Sequence, residues 1–282
     1  MKRFFTLCLS SLLVVAATTS CEKEITPDPT APARTIYNQT RQYLMTPITV
    51  VELAVAFNEY YLAPTEKMRD DIEDKYFPDY KIRFDTESGI WRLERNNRPV
   101  VRIQMEGGKA LNTLGSKWSF LPGTYDLPEG SEITLAYKAD GVYSLMLNSI
   151  PAYGDGSDLR LSGSLEVSPK SGSMLLNGQF TYASTQSLYK VTNRIGDNGL
   201  LVRQDVENPT EKVSWYNYYR NLVNGSWVST VVTSQAETIA FTSIADSIWR
   251  IEYFAANGVH YLGYCNSSAE SITGPIESEL YY

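Results

Sequence analysis

The stretch WYNYYRN, Trp215–Asn221, gathers four aromatic rings into seven residues of a chain that carries twenty tyrosines. Read as a strand, its alternation sends Trp215, Asn217 and Tyr219 to one face and Tyr216, Tyr218 and Arg220 to the other. One face must join a core. The other then offers an aromatic stripe on which a sugar ring or a partner protein can stack, since such rings pair a broad apolar face with a polar edge. Trp215, Tyr216 and Tyr218 are therefore the candidate ligand-binding residues.

Acid–base and nucleophilic chemistry find thinner support. His260 is the single histidine, and no G-x-S-x-G turn accompanies it, whereas a Ser-His-acid triad needs a base beside an exposed nucleophile. So few nitrogen and sulfur ligands leave only oxygen for a metal. The loop around Asp155, Ser157 and Asp158 offers oxygens without calcium-loop spacing, and reads as a polar hairpin turn. Asp70, Asp71, Glu73 and Asp74 stand beside Lys67, Arg69 and Lys75, which reads as a solvated helix face laced by i,i+4 pairs. Glu94 and Glu252 occupy matching places in IWRLE and IWRIE and read as cross-strand partners of arginine. A glycosidase needs two facing carboxylates, and nothing selects a pair among 32 acids. Cys265 lies in an apolar run and reads as a buried thiol. Neither a phosphate-binding glycine loop nor a dinucleotide fingerprint is present. No catalytic residue, metal or cofactor is expected.

The elements that must position these residues are mostly strands. From Lys81 onward the chain repeats short runs of period two, such as EITLAYK, LRLSGSLEVS, SLYKVTNR and SIWRIEYF. Between them lie turn pairs such as Asn96-Asn97, Asn177-Gly178 and Asn257-Gly258, which suit tight turns needing positive φ. Two helices precede the strands. Thr49–Leu62 places Val50, Leu53, Ala54, Phe57 and Tyr61 at helical spacing, with Pro47 just ahead. A second helix starts at the N-cap Thr65 and ends before Pro78, with Met68, Ile72 and Phe77 along one side. The expected fold is mainly β, an antiparallel sandwich or barrel-like set of sheets over residues 79–282. A short two-helix segment, 37–78, packs on it as a lid. The near-identical IWRLE and IWRIE read as independent hairpins, each anchored in the core by Trp91 or Trp249.

The amino-terminal residues carry an address. Lys2 and Arg3 precede an apolar run, Phe4–Ala17, that is too short to span a membrane. Thr18, Thr19 and Ser20 then lead to Cys21, followed at once by Glu22, Lys23 and Glu24. This resembles the signal of the surface lipoproteins of Bacteroidetes-type bacteria. The resemblance implies removal of residues 1–20, lipidation of Cys21, and display on the outer membrane at the cell surface. Residues 21–36, with Pro27, Pro29 and Pro32, read as a semi-rigid tether. Without residues 1–20 the chain holds 23 basic and 32 acidic residues, a net charge of −9. That argues against nucleic acid as a partner.

The expected function is a non-catalytic binding module for a glycan or another envelope ligand, held to the membrane through Cys21. The alternative is a structural component of an envelope complex. A carboxylate-based hydrolase ranks below both.

Overall fold

Pro47 lies inside a helix, not ahead of one. In a computed structural model of the chain, α1 runs from Ala31 to Leu62 with Pro47 in its middle. It therefore starts well before the predicted Thr49 and takes up the last residues read as tether. A proline within a helix donates no N–H, which strands the carbonyl four residues earlier; here that is Tyr43. The sheet supplies the missing donor, because Asn193 Nδ2 donates to the Tyr43 carbonyl at 2.7 Å. Two more polar contacts fix the same half of the helix. Gln204 Nε2 donates to the Thr40 carbonyl at 3.2 Å, and Thr46 Oγ1 accepts from the Tyr153 amide at 3.0 Å.

The second helix, α2, is Glu66–Tyr76, and Thr65 caps it as the sequence predicts, its hydroxyl accepting from the Met68 amide. Met68 is exposed, and the buried residues of α2 are Glu73 and Tyr76. Glu73 thus corrects the reading of that acidic run as wholly solvated. It is 6 % exposed and accepts from the Ile82 amide at 2.8 Å and from Lys81 Nζ at 3.0 Å. The strand beginning at Lys81 is the first of the sheet, so this buried carboxylate occupies a backbone donor on an open edge, where unpaired amides invite association.

The structure describes residues 31–106, 131–137, 142–153, 158–168, 170–197, 201–221, 227–245, 248–266 and 279–281. Cys21, the Asp155–Ser157 segment and the side chains of Tyr219, Arg220, Trp249 and Cys265 lie outside that description. The first strands are β1 (Lys81–Asp85), β2 (Ile90–Arg95), β3 (Arg98–Glu106), β4 (Ser131–Tyr137) and β5 (Tyr143–Pro151). Next come β6 (Leu159–Ser168), β7 (Ser173–Tyr182), β8 (Leu188–Ile195), β9 (Leu201–Asn208) and β10 (Val213–Asn221). The last are β11 (Trp227–Thr233), β12 (Thr238–Ala245), β13 (Ile248–Phe254), β14 (His260–Asn266) and β15 (Glu279–Tyr281). The predicted mainly β class holds, with two helices ahead of the strands. Among the described residues the fifteen strands form one sheet whose spatial order is the chain order, and that sheet does not close into a barrel. Every neighbouring pair is antiparallel except β3 with β4, which run parallel.

One face of this sheet carries the core, and α1 lies against it. Leu93, Ile103, Leu145, Leu165, Leu176, Val191, Ile239 and Ile251 each project from it and are at most 1 % exposed. Tyr43, Ala56 and Phe57 of α1 are fully buried, which makes this helix a core element rather than a lid. Trp91, within IWRLE, receives Phe57 at 5.8 Å, Tyr60 at 6.1 Å and Tyr61 at 5.9 Å from the carboxyl-terminal half of α1. The other half meets Phe180, Tyr189 and Trp215 through Tyr43. Between the two halves, Gly163 of β6 faces Gly178 of β7: a Cβ on Gly163 would stand 2.4 Å from the Asn177 carbonyl oxygen, so only glycine allows the two backbones this approach.

Candidate functional site

Strands β8 to β11 position the candidate residues, and each strand divides them by parity. On β8, Tyr189, Val191, Asn193 and Ile195 point inward, which leaves Lys190 and Thr192 outside. On β9 the ladder slips between Arg194 and Ile195. That bulge leaves Val202 unmatched, so Leu201 and Gln204 both face the core while Arg203, Asp205 and Glu207 face out. A bulge of this kind re-aims the side chains that follow it. On β10, Trp215 and Asn217 are buried, and Tyr216 and Tyr218 lie on the outer face.

The three predicted ligand-binding residues therefore separate. Trp215 is 5 % exposed, with its ring 6.4 Å from Tyr43 and 6.1 Å from Tyr189. Its ring is a core ring on the inward side of this strand, and the residue also borders an open trough on the outer face. Tyr216 and Tyr218 stay at the surface with their rings stacked at 6.1 Å and 24°. The Arg203 guanidinium lies over Tyr216 at 4.5 Å from the ring centre, an attraction between the cation and the ring's negative face. Asp205 fixes that guanidinium: Arg203 Nε reaches both carboxylate oxygens, at 2.8 Å and 2.9 Å. The same contact raises the Arg203 pKa above its ordinary value.

Tyr216, Arg203 and Asp205 border this open trough, of about 590 Å³, on the outer face. Lys190, Thr192, Arg203, Asp205, Glu207 and Tyr216 contribute to its lining, as do Ser214, Trp215 and Ser234. The sequence could name the tyrosines from their density and alternation. It could not name Arg203, Asp205 or Lys190, because their approach depends on the register of β8, β9 and β10, which the residues of one strand do not encode.

The remaining sequence candidates are engaged in structure. Asp158 ties the β7–β8 hairpin to the start of β6: its carboxylate accepts from the Ser184 amide at 2.8 Å and from the Ser184 hydroxyl. Those bonds, the hydroxyl's first, hold the Asp158 carboxyl below its ordinary value. Glu252 does pair with an arginine, but with Arg250 two residues along its own strand, at 2.5 Å, instead of across the ladder. Its carboxylate also stands 3.8 Å from His260 Nε2, and His260 stacks on Phe254 at 4.2 Å. Among the described residues no group of three or more His, Cys, Asp or Glu is arranged to hold a metal. No protein-family model matches the chain, and a search of the curated proteins finds no match to it either.

Proposed function

We propose that the chain is a non-catalytic binding module, tethered to the outer membrane through a lipid on Cys21, that captures a glycan or another envelope ligand in the trough of β8–β11. The observation that carries this reading is the stacked pair Tyr216 and Tyr218 on the outer face, beside a trough walled by hydrogen-bonding groups. The core does not use these two rings, since Trp215 and Asn217 fill the inner positions of the same strand. A few convergent polar groups around an aromatic surface are what a ligand site requires.

Hydrolysis is less well supported. Asp205, the acid nearest the tyrosines, is committed to Arg203, whereas a general acid must be free to give up a proton at working pH. The assembly alternative draws on the open sheet, yet Glu73 already occupies an outward amide of the β1 edge.

Two measurements test the proposal. Metabolic labelling with palmitate should mark the protein, and Cys21→Ser should abolish the label. Calorimetry against a polysaccharide panel should find a ligand for the wild-type protein. Tyr216→Ala with Tyr218→Ala should weaken it about tenfold or more, since each aromatic stack contributes about 0.5–1.5 kcal/mol beyond the area it buries. Unchanged binding in the double variant would place the site elsewhere.

A further inference from the structure

The trough continues past its own wall. A second depression, of about 420 Å³, is lined by Ser162, Asn177, Gln179, Lys190 and Thr192, and the last two of these also line the first. The combined floor crosses β6 to β11, which is five strand spacings of about 4.8 Å each, or about 24 Å. Its groups include hydroxyls, amides, Tyr216 with Tyr218 stacked beside it, and four charges.

Those four charges cancel. Arg203 is held by both oxygens of Asp205, and Lys190 stands directly opposite Glu207 across the β8–β9 ladder. An anionic chain would find each cation already beside a carboxylate, and would pay to displace it. An uncharged polyol loses nothing by this arrangement, because the Arg203–Asp205 pair and the neighbouring Lys190 and Glu207 still present donors and acceptors to hydroxyl groups. A peptide fits less well. Extended peptides are usually recognised through backbone groups at a sheet edge, and β9 and β10 are paired on both sides.

We infer that the ligand is an uncharged oligosaccharide laid across β6–β11, stacking on the Tyr216–Tyr218 pair and bonding to the hydroxyl, amide and mutually offsetting charged groups of the trough. This rests on the binding reading above and narrows it to neutral chains long enough to cross several strands.

The test is binding of the purified protein to dextran, laminarin and galactomannan as neutral chains, alginate and polygalacturonate as anionic ones, and a casein hydrolysate as peptide. Each is measured from about 0.01 M to about 1 M salt, over which the screening length falls from about 30 Å to about 3 Å. The expected result is retention of a neutral chain, stronger for longer oligomers, with affinity that changes less than about twofold across the salt range. Asp205→Asn and, separately, Glu207→Gln should each create salt-sensitive binding to alginate, because the first releases Arg203 and the second removes the carboxylate that offsets Lys190 across the ladder. The second variant guards against a folding defect in the first. Wild-type binding confined to anionic chains, or falling steeply with salt, would overturn the neutral assignment and leave the glycan-binding reading intact. Binding of the hydrolysate alone, or of no chain of either charge, would overturn both.

Discussion

The two halves of α1 are held by two different kinds of interface. Its carboxyl-terminal half packs Phe57 and Tyr60 onto Trp91, beside strands whose inner positions are Ile82, Leu93, Val101 and Ile103. Its amino-terminal half is met by the buried amides of Asn193 and Gln204, which donate to the Tyr43 and Thr40 carbonyls. Apolar packing is non-directional, so the first interface contributes most of the free energy and tolerates small slips. Hydrogen bonds are directional, and an unmet buried partner is costly, so the second interface sets where along the sheet the helix must stop. Pro47 sits at the border and is the reason the Tyr43 carbonyl needs the Asn193 amide. Burial there also pushes the Tyr43 phenol above its ordinary pKa, so the ring remains neutral in the folded protein.

Breaking the apolar half should cost most. Phe57→Ala removes a fully buried ring and should destabilise the protein by about 3–5 kcal/mol in denaturant unfolding. Leu93→Ala, also fully buried, should cost about 2–5 kcal/mol.

The polar half is tested by a cycle. Asn193→Leu leaves the Tyr43 carbonyl unmet and should cost about 1–3 kcal/mol. Adding Pro47→Ala restores a helical N–H to that carbonyl, so the double variant should recover at least about 1 kcal/mol of the loss. A double variant no more stable than Asn193→Leu alone would show that Asn193 does not serve the proline.

Smaller effects lie outside both halves. Thr65→Ala removes the α2 cap and should cost about 1 kcal/mol by the same unfolding assay. The smallest is a pH effect at Asp158, whose folded pKa lies below its ordinary 3.8. A depressed carboxylate stabilises the fold above the unfolded value, and that contribution disappears as pH falls through the folded one. Ser184→Ala should therefore lower Tm at about pH 7 and make less difference at about pH 3. An equal gap at both would locate the Ser184 contribution in something other than the carboxylate.

Alternation made the strands legible, and the outward pair Tyr216 and Tyr218 with them, because a period of two needs only neighbouring residues. Thr65 announced α2 for the same local reason. The first half of α1 was not legible, since what rescues its stranded carbonyl is Asn193, 150 residues away. Glu73 misled in the same manner: its neighbours are charged and solvated, while its partner is a backbone amide in the next element. The companions of the tyrosines were hidden too, because Arg203 meets Tyr216 only through the pairing register of β9 with β10, which neither strand encodes alone.

Strand order that equals chain order also bears on how the molecule is built. A chain emerging amino end first delivers α1 before any strand, and from β4 onward each new strand finds its partner already in place. Every pairing after β4 is a local hairpin closure, the kind that keeps contact order low and folding fast. The exception is the parallel pair β3–β4, whose long crossover must close before the meander can grow. Slow steps in assembly should therefore concentrate there, early in the chain, and the later sheet should zip towards β15 without a second nucleus.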